Sequence, residues 1–501
     1  MEMYTIGLDI GSSGVKSTVF DINANRISSS YREYDLCCIE EQTYTLSPRD
    51  VLNKCKEVLK EAAEKSGAAD RIKAISISSI GEAFVCLDKR EEPLFDIMLY
   101  MDRRGTEECT ELCSIMERRD IYNITGCYVD PMYALYKLRW LSKHHSEITS
   151  NMRRICFVAD YIAFKLGAGH FCEYSLAARS GMLSITEKKW WQEGLDFASV
   201  KIEQMPELVS TGSVVGAVSL EAAKSLGGIQ KGTKLILGGH DQIMTVIGSG
   251  ANKPGHVVNG IGTVDCLTGI VDSHVNKEEL LRCNMPLVPL LDTPFYATYA
   301  FNMSGGINNK WFRSELAKDL KQNADAYKQL NEEIPKQPSG LLYLPYLCGG
   351  GTPAMDSITP AVIAGIRLGT SRGEMFRAFL EGTAYEMKKN LECFRKASVA
   401  IKEIMAVGGG TSSNLWMQIR SNVFEREIRL PIFGEAGTLA NAILCYTALG
   451  MFKTIEEAQK EMVRYRETYY PQENQVKAYK KRFEQYQKFY QVMKEFYETD
   501  G

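Results

Sequence analysis

The sequence predicts an α/β protein of two large domains, and three observations carry that reading. Apolar, β-branched runs alternate with amphipathic helical segments over most of the chain. The 501 residues exceed what one hydrophobic core usually supports. A strand, a bend rich in glycine and hydroxyl groups and a second strand occur at "YTIGLDIGSSGVKSTVFD" and recur halfway along, at "GHVVNGIGTVDCLTGIVDS". A boundary near Gly250 gives each half one such hairpin, so the expected domains are 1–249 and 250–501.

In the first hairpin, Thr5–Ile10 reads as a buried strand and Val15–Phe20 as its partner. Asp9 stands at the strand end, facing a loop of backbone N–H groups and hydroxyls, and a buried carboxylate needs compensation there. Either Asp9 and the serines satisfy the turn, or the loop receives a phosphate. In the second case Ser12, Ser13 and Lys16 would hold phosphate oxygens while Asp9 takes a water-bound Mg²⁺. No Walker loop occurs in the chain, and a strand follows "GSSG" where a dinucleotide fold needs a helix.

The elements then follow in order. "TYTLSPRDVLNKCKEVLKEAAEKSG" predicts a capped helix ending at Gly67. "RIKAISISSIGEAFVCLD" reads strand, loop, strand, and "TKLILGG" is a strand running into "HDQIMTVIGSG". Asp241 there is either the N-cap of the next helix or a carboxylate at a strand end opening into a crevice. In the second role it would accept a hydroxyl proton. In the second hairpin, Gly262 and Thr263 form a plain bend or grip a further phosphate. In "EIMAVGGGTSSNLWMQIRSNVF" the glycines permit a tight strand-to-helix turn, or Gly409, Gly410 and Ser413 receive an adenine and its ribose. The small residues of "EAGTLANAILCYTALG" predict close helix packing. In the C-terminal helix, Tyr479, Phe483, Tyr486 and Tyr490 fall on one face, a docking stripe.

Composition limits the function classes. With 59 basic and 62 acidic residues, the net charge of -3 carries no nucleic-acid footprint. No apolar run approaches a membrane span, and "MEMYTIGLD" lacks a signal peptide's basic flank and long apolar stretch. Most of the 14 cysteines lie in apolar segments, and neither Cys37-Cys38 nor Cys109 with Cys113 has a paired zinc-site spacing. Reduced thiols and a cytoplasmic location are expected.

Taken in order, these segments resemble the FGGY carbohydrate kinases, the sugar and polyol kinases of the actin-like ATPase superfamily. "DIGSSGVK" is similar to the family's first phosphate loop and "IGTVDCLTG" to its second. "GGHDQ" resembles the segment carrying the catalytic aspartate, which would be Asp241. "AVGGGTSSNLWMQIRSNVF" resembles the adenosine segment, and "MSGGINNKWF" the stretch placing Gly306 and Lys310 beside the nucleotide. "GLLYLPYLCGGGTPAMD" departs from the family loop by having Gly350-Gly351-Thr352 where Glu-Arg-x is common.

The resemblance implies two ribonuclease H-like domains flanking a deep catalytic cleft. It also implies transfer of phosphate from ATP, with Mg²⁺, to a sugar or polyol. On the acceptor side the chain is individual. "SSIGEAF" places Gly81 and Glu82 where xylulose and glycerol kinases carry other motifs, and "YMDRR" supplies Asp102 and Arg104. "EYSLAARSGML" has Glu173 in place of the family's Asp. Glu82, Asp102 and Arg104 are the expected acceptor contacts, with Asp241; alternatively Glu82 is a structural carboxylate paired with Arg104. The expected acceptor is a pentulose, a hexulose or a polyol, the alternative a smaller polyol or tetrulose. Outside the class stands an actin- or chaperone-like ATPase without a sugar. A small-molecule acceptor and a homodimer are the expected partners, with neither nucleic acid nor membrane.

Overall fold

The structure, a computed structural model, describes residues 2–35, 43–323 and 325–498. Cys37 and Cys38 lie outside the described residues, and the twelve described cysteines are all free. Among the described residues no helix is long and apolar enough to cross a membrane. The chain groups into two compact units. One contains Met1–Asn252, Pro286–Ala297 and Glu435–Arg464; the other contains Lys253–Met285, Thr298–Gly434 and Tyr465–Gly501. Neither unit is a single stretch of chain.

In the first unit β1 (Tyr4–Ile10), β2 (Gly14–Phe20), β3 (Arg26–Glu33), β4 (Ile72–Ser79), β5 (Val214–Ala217) and β6 (Lys234–His240) form one sheet in the order β5-β6-β4-β1-β2-β3. β1, β2 and β3 are antiparallel neighbours, whereas β4 runs parallel to both β1 and β6. In the second unit β7 (Gly255–Ile261), β8 (Asp265–Val271), all but the first two residues of β9 (Tyr296–Asn302), β10 (Ile401–Val407), β11 (Ile428–Pro431) and β12 (Tyr465–Tyr469) are neighbours in the order β9-β8-β7-β10-β11-β12. There β7 and β8 are antiparallel, and β10 runs parallel to both β7 and β11. The two hairpins noted in the sequence thus occupy the same place in two sheets of the same plan.

Seven helices matter for the site and its support: α1 (Pro48–Ser66), α2 (Tyr174–Ala178), α3 (Asp241–Gly248), α4 (Arg372–Lys396), α5 (Asn414–Phe424), α6 (Ala436–Ala448) and α7 (Glu473–Glu498). α1 starts where the Ser47 side chain accepts the Asp50 N–H and stops at Gly67, which takes the left-handed conformation at φ 62°. α6 lies close on β1 because Gly7 has no side chain: a Cβ there would stand 2.4 Å from the Thr438 carbonyl oxygen. Asn441 of α6 accepts the Ser76 hydroxyl at 2.6 Å and donates to the Ser78 hydroxyl at 2.8 Å, tying helix to sheet. The aromatic stripe of α7 is buried, and its hydroxyls find carboxylates. Tyr479 donates to Glu381 at 2.9 Å, Tyr486 to Glu386 at 2.7 Å and Tyr490 to Asp356 at 3.0 Å. Each ring therefore packs while its polar tip is satisfied.

Candidate active site

The parallel strands of the first unit end together, and the register says which residues meet. Asp9 of β1 pairs with Ser78 of β4, and Gly239 of β6 pairs with Ser78 from the other side. The residues that leave these strand ends are Gly81 and Glu82 after β4 and Asp241 after β6, where open α/β sheets place their reacting groups. The ladder slips between Leu237 and Gly239, and Gly239 has φ 132°. That irregularity re-aims the chain into α3. Asp241 is the first residue of α3, and the N-cap position belongs to His240, so the N-cap reading of Asp241 is corrected.

Asp9 is held by the Ser78 hydroxyl, which donates to Oδ1 at 2.8 Å. Burial raises its pKa, and the Ser78 hydrogen bond and the Lys16 charge offset only part of that. Ser12 and Ser13 form the tip of the hairpin, closed by the Gly11 N–H donating to the Gly14 carbonyl at 2.9 Å. Lys16, opposite Asp9 in the ladder, pairs with Glu435 at 2.5 Å. Gly437 leaves room beside the carboxylate, since a Cβ there would lie 3.0 Å from Asp9 Oδ2. A carboxylate at a strand end suits a hydrated Mg²⁺, which takes few protein ligands. Among the described residues no group of three or more His, Cys, Asp or Glu side chains could hold a metal by itself.

Around Asp241 the groups are tightly arranged. His240 Nε2 lies 3.1 Å from Asp241 Oδ1, and burial pushes the imidazole down to about 3, so it is uncharged at neutral pH. Asp241 keeps 32% of its side chain exposed. Burial, then the charges of Asp9 and Glu82, push its carboxyl up to about 8. Glu82 accepts Arg179 Nε at 2.7 Å on Oε1, and Arg179 Nη2 closes on the same oxygen. Burial opposes the charge of Glu82, yet the Arg179 guanidinium beside it holds its pKa below the ordinary value. Glu82 is paired with Arg179, not with Arg104, which corrects the structural alternative read from the sequence. Gly81 makes this possible, because a Cβ there would meet His240 Cδ2 at 2.6 Å and Arg179 Cβ at 2.8 Å.

Asp102 and Arg104 brace each other. Fully buried Asp102 accepts the Tyr44 N–H at 3.0 Å, the Arg104 N–H at 3.1 Å and Arg104 Nη2 at 2.7 Å. The Arg104 guanidinium lies 5.0 Å from the Trp140 ring and 5.7 Å from that of Phe95.

The candidates of the second unit converge. Gly262, Thr263, Gly306, Lys310, Gly409, Gly410 and Ser413 all line one cavity of about 830 Å³. The hairpin bend is clasped from behind: the Gly306 N–H donates to the Gly262 carbonyl at 2.8 Å and the Gly305 N–H to that of Thr263 at 2.9 Å. Gly306 must lack a side chain, as a Cβ would stand 2.7 Å from the Gly262 carbonyl oxygen. Beneath the bend, fully buried Arg420 of α5 pairs with Asp265 and donates to Asn259 Oδ1 at 2.8 Å. The far wall holds Tyr327, Asn331, Phe376 and Trp416, aromatic faces with a few polar groups, the make-up of a small-molecule pocket.

Residues 4–248 match the N-terminal domain of the FGGY family of carbohydrate kinases, and residues 258–449 match its C-terminal domain. The chain belongs to the FGGY carbohydrate kinases. It is 26% identical over 490 residues to the xylulose kinase of Bacillus subtilis (strain 168), covering 97% of this chain and 96% of that one. It is equally 26% identical, over 495 residues, to the gluconokinase of the same strain, covering 96% of this chain and 94% of that one. The crystal structure of gluconate kinase from Lactobacillus acidophilus superimposes with a TM-score of 0.90 at 25% identity, over 100% of both chains. The protein is thus a phosphotransferase with the two-domain α/β fold of those kinases.

Sequence reasoning passed over several residues of this kinase. Arg179 meets Glu82 from 97 positions away, and the only local signal was an arginine among small residues in "LAARSG". Buried Tyr133 stacks on that guanidinium at 5.0 Å, and His240 adjoins the motif aspartate without belonging to its chemistry in the sequence reading. Glu173 accepts the Ser175 N–H at 2.8 Å and the Thr211 hydroxyl at 2.5 Å, so it caps α2 and anchors the chain beside β6.

Proposed function

We propose that this kinase transfers the γ-phosphoryl group of Mg-ATP to a hydroxyl of a ketopentose, ketohexose or related polyol, with Asp241 as general base. The observation that carries this reading is the Asp241 carboxylate, partly open to solvent and 3.1 Å from neutral His240, beside the buried Glu82–Arg179 pair. A carboxyl raised toward neutrality takes a proton readily in the transition state and returns it to solvent afterwards. Asp241 accepts the acceptor's hydroxyl proton as that oxygen bonds to phosphorus and the bond to the bridging oxygen of ADP breaks. His240 Nε2, 3.1 Å from Oδ1, is placed to orient the carboxyl. Glu82 Oε2 and the Arg104 guanidinium edge supply an acceptor and a donor for further hydroxyls.

In the second unit, the glycine-lined wall of the cavity suits an adenine and its ribose. The Gly262–Thr263 bend and Lys310 suit phosphate oxygens, as do Ser12, Ser13 and Lys16 in the first unit. Asp9 would hold Mg²⁺ through its waters, and a bound Mg²⁺ supplies charge neutralisation on the phosphates.

A coupled ADP-release assay over pentuloses, hexuloses, tetruloses and polyols, with Asp241→Asn alongside, tests the reading. Acceptor-dependent ADP release is expected, and its loss in Asp241→Asn with nucleotide binding retained. More than a tenth of the turnover surviving in the variant, a loss under about 1.4 kcal/mol, counts against the base. ATP turnover independent of any acceptor counts against a sugar kinase.

A further inference from the structure

The relatives divide between a neutral ketose and an anionic aldonate at equal identity, so overall similarity does not choose the acceptor's charge. The groups beside Asp241 do. Arg179 would be the cation to meet a substrate carboxylate, but Nε and Nη2 both rest on Glu82 Oε1, and both side chains are buried. Tyr133 accepts Nη1 at 3.4 Å and covers the guanidinium face, and Gly81 lets the arginine stem lie against the loop. The arginine is therefore fixed in position and its charge is neutralised in place. Lys137 is fully buried, and its ammonium donates to the carbonyls of Leu99 at 2.6 Å and Met132 at 2.8 Å, so it points at backbone. His240 lies in a desolvating pocket that keeps it uncharged. Among the described residues, the charges that act on Asp241 without a matching partner at hand are carboxylate: Asp9 and the unbridged Glu82 Oε2.

We propose that the Glu82–Arg179 pair makes this site selective for uncharged polyhydroxy acceptors and rejects aldonates. A neutral polyol gives Glu82 Oε2 a hydroxyl donor, whereas an aldonate carboxylate brings like charge to a site whose two arginines, Arg179 and Arg104, are already matched by Glu82 and Asp102. Glu82 and Arg179 are thus specificity-determining residues. This rests on the reading that the residues around Asp241 hold the acceptor.

The test compares wild type and Glu82→Gln on matched pairs: D-xylulose and xylitol against D-xylonate, and D-fructose against D-gluconate. Both kcat/KM and calorimetric binding without nucleotide are measured, with melting curves for each protein. Wild type is expected to favour the neutral member at least a hundredfold. Gln keeps the shape and the acceptor oxygen but unmasks the Arg179 charge, so the neutral-to-aldonate ratio should fall at least tenfold. A wild-type preference for an aldonate overturns the proposal, as does a ratio unmoved by Glu82→Gln in a folded variant. If the variant does not fold, the wild-type preference decides. Turnover of Asp241→Asn keeps the two readings apart: full activity there removes the base but leaves the acceptor's charge class measurable by calorimetry. Aldonate binding as tight as the ketose removes the selectivity and leaves the base intact.

Discussion

Asp241 sits where three influences meet: walls that exclude part of the water, the Asp9 charge and the Glu82 charge, all raising its pKa. If the ionised form is the base, kcat/KM for the acceptor rises with pH through about 8, the value to which this carboxyl is pushed in the free enzyme. The same shift has a stability sign. An Asp whose pKa is raised on folding binds more protons folded than unfolded between its ordinary value and about 8, so its contribution to stability falls as pH rises through that window. Asp241→Asn removes the effect. The variant's melting temperature should therefore gain on wild type from pH 5 up to about pH 8 and level off above it. A pH–rate profile and paired melting curves check both; a flat rate across pH 7 to 9 with a constant melting difference would show an unshifted carboxyl. Asp241 was legible in "GGHDQ" because the glycines and the strand before it are local. Arg179 was not, since its role exists only once a loop 97 residues away arrives with a carboxylate.

At the scale of elements, a short helix does the positioning. α2 has only five residues, too few to be stable alone, and Glu173 holds it by accepting the Ser175 and Leu176 N–H groups at 2.8 and 3.2 Å. Ser175 passes the constraint on, its hydroxyl accepting the His240 N–H at 2.9 Å while donating to Glu173 at 2.5 Å. Arg179 follows directly at the helix end, so one carboxylate fixes both neighbours of Asp241. Glu173→Ala should cost about 1–3 kcal/mol of stability for the buried donors it orphans. It should raise acceptor KM several-fold while leaving affinity for a non-hydrolysable ATP analogue unchanged. Melting curves and calorimetry decide it: lost nucleotide affinity would mean general unfolding. The sequence showed Glu173 only as a one-carbon departure from a family aspartate. The longer side chain's reach to Thr211, 38 positions on, depends on how the loops fold.

Across the whole molecule, the repeated sheet plan explains which parts of the site were readable. Both hairpins were visible because strand periodicity and glycine bends are local signals. That Glu435–Arg464 belong with the first unit was not, because α6 earns its place through contacts such as Asn441 with Ser76, 365 positions away. The division of candidates is equally plain: Glu82, Asp102, Arg104, Arg179 and Asp241, proposed to face the acceptor, fall in one unit, and the residues lining the 830 Å³ cavity fall in the other. Ligands should therefore leave separate footprints in hydrogen exchange, which slows where binding suppresses local opening. A non-hydrolysable ATP analogue with Mg²⁺ is expected to slow exchange in peptides covering 327–332 and 409–416, with smaller effects at the first hairpin. The acceptor alone should slow 80–84, 175–181 and 239–243. Acceptor protection centred on the cavity, or none around Glu82 at saturation, would move the acceptor site elsewhere. Because the acceptor arm needs no nucleotide, it locates that site before any chemistry occurs.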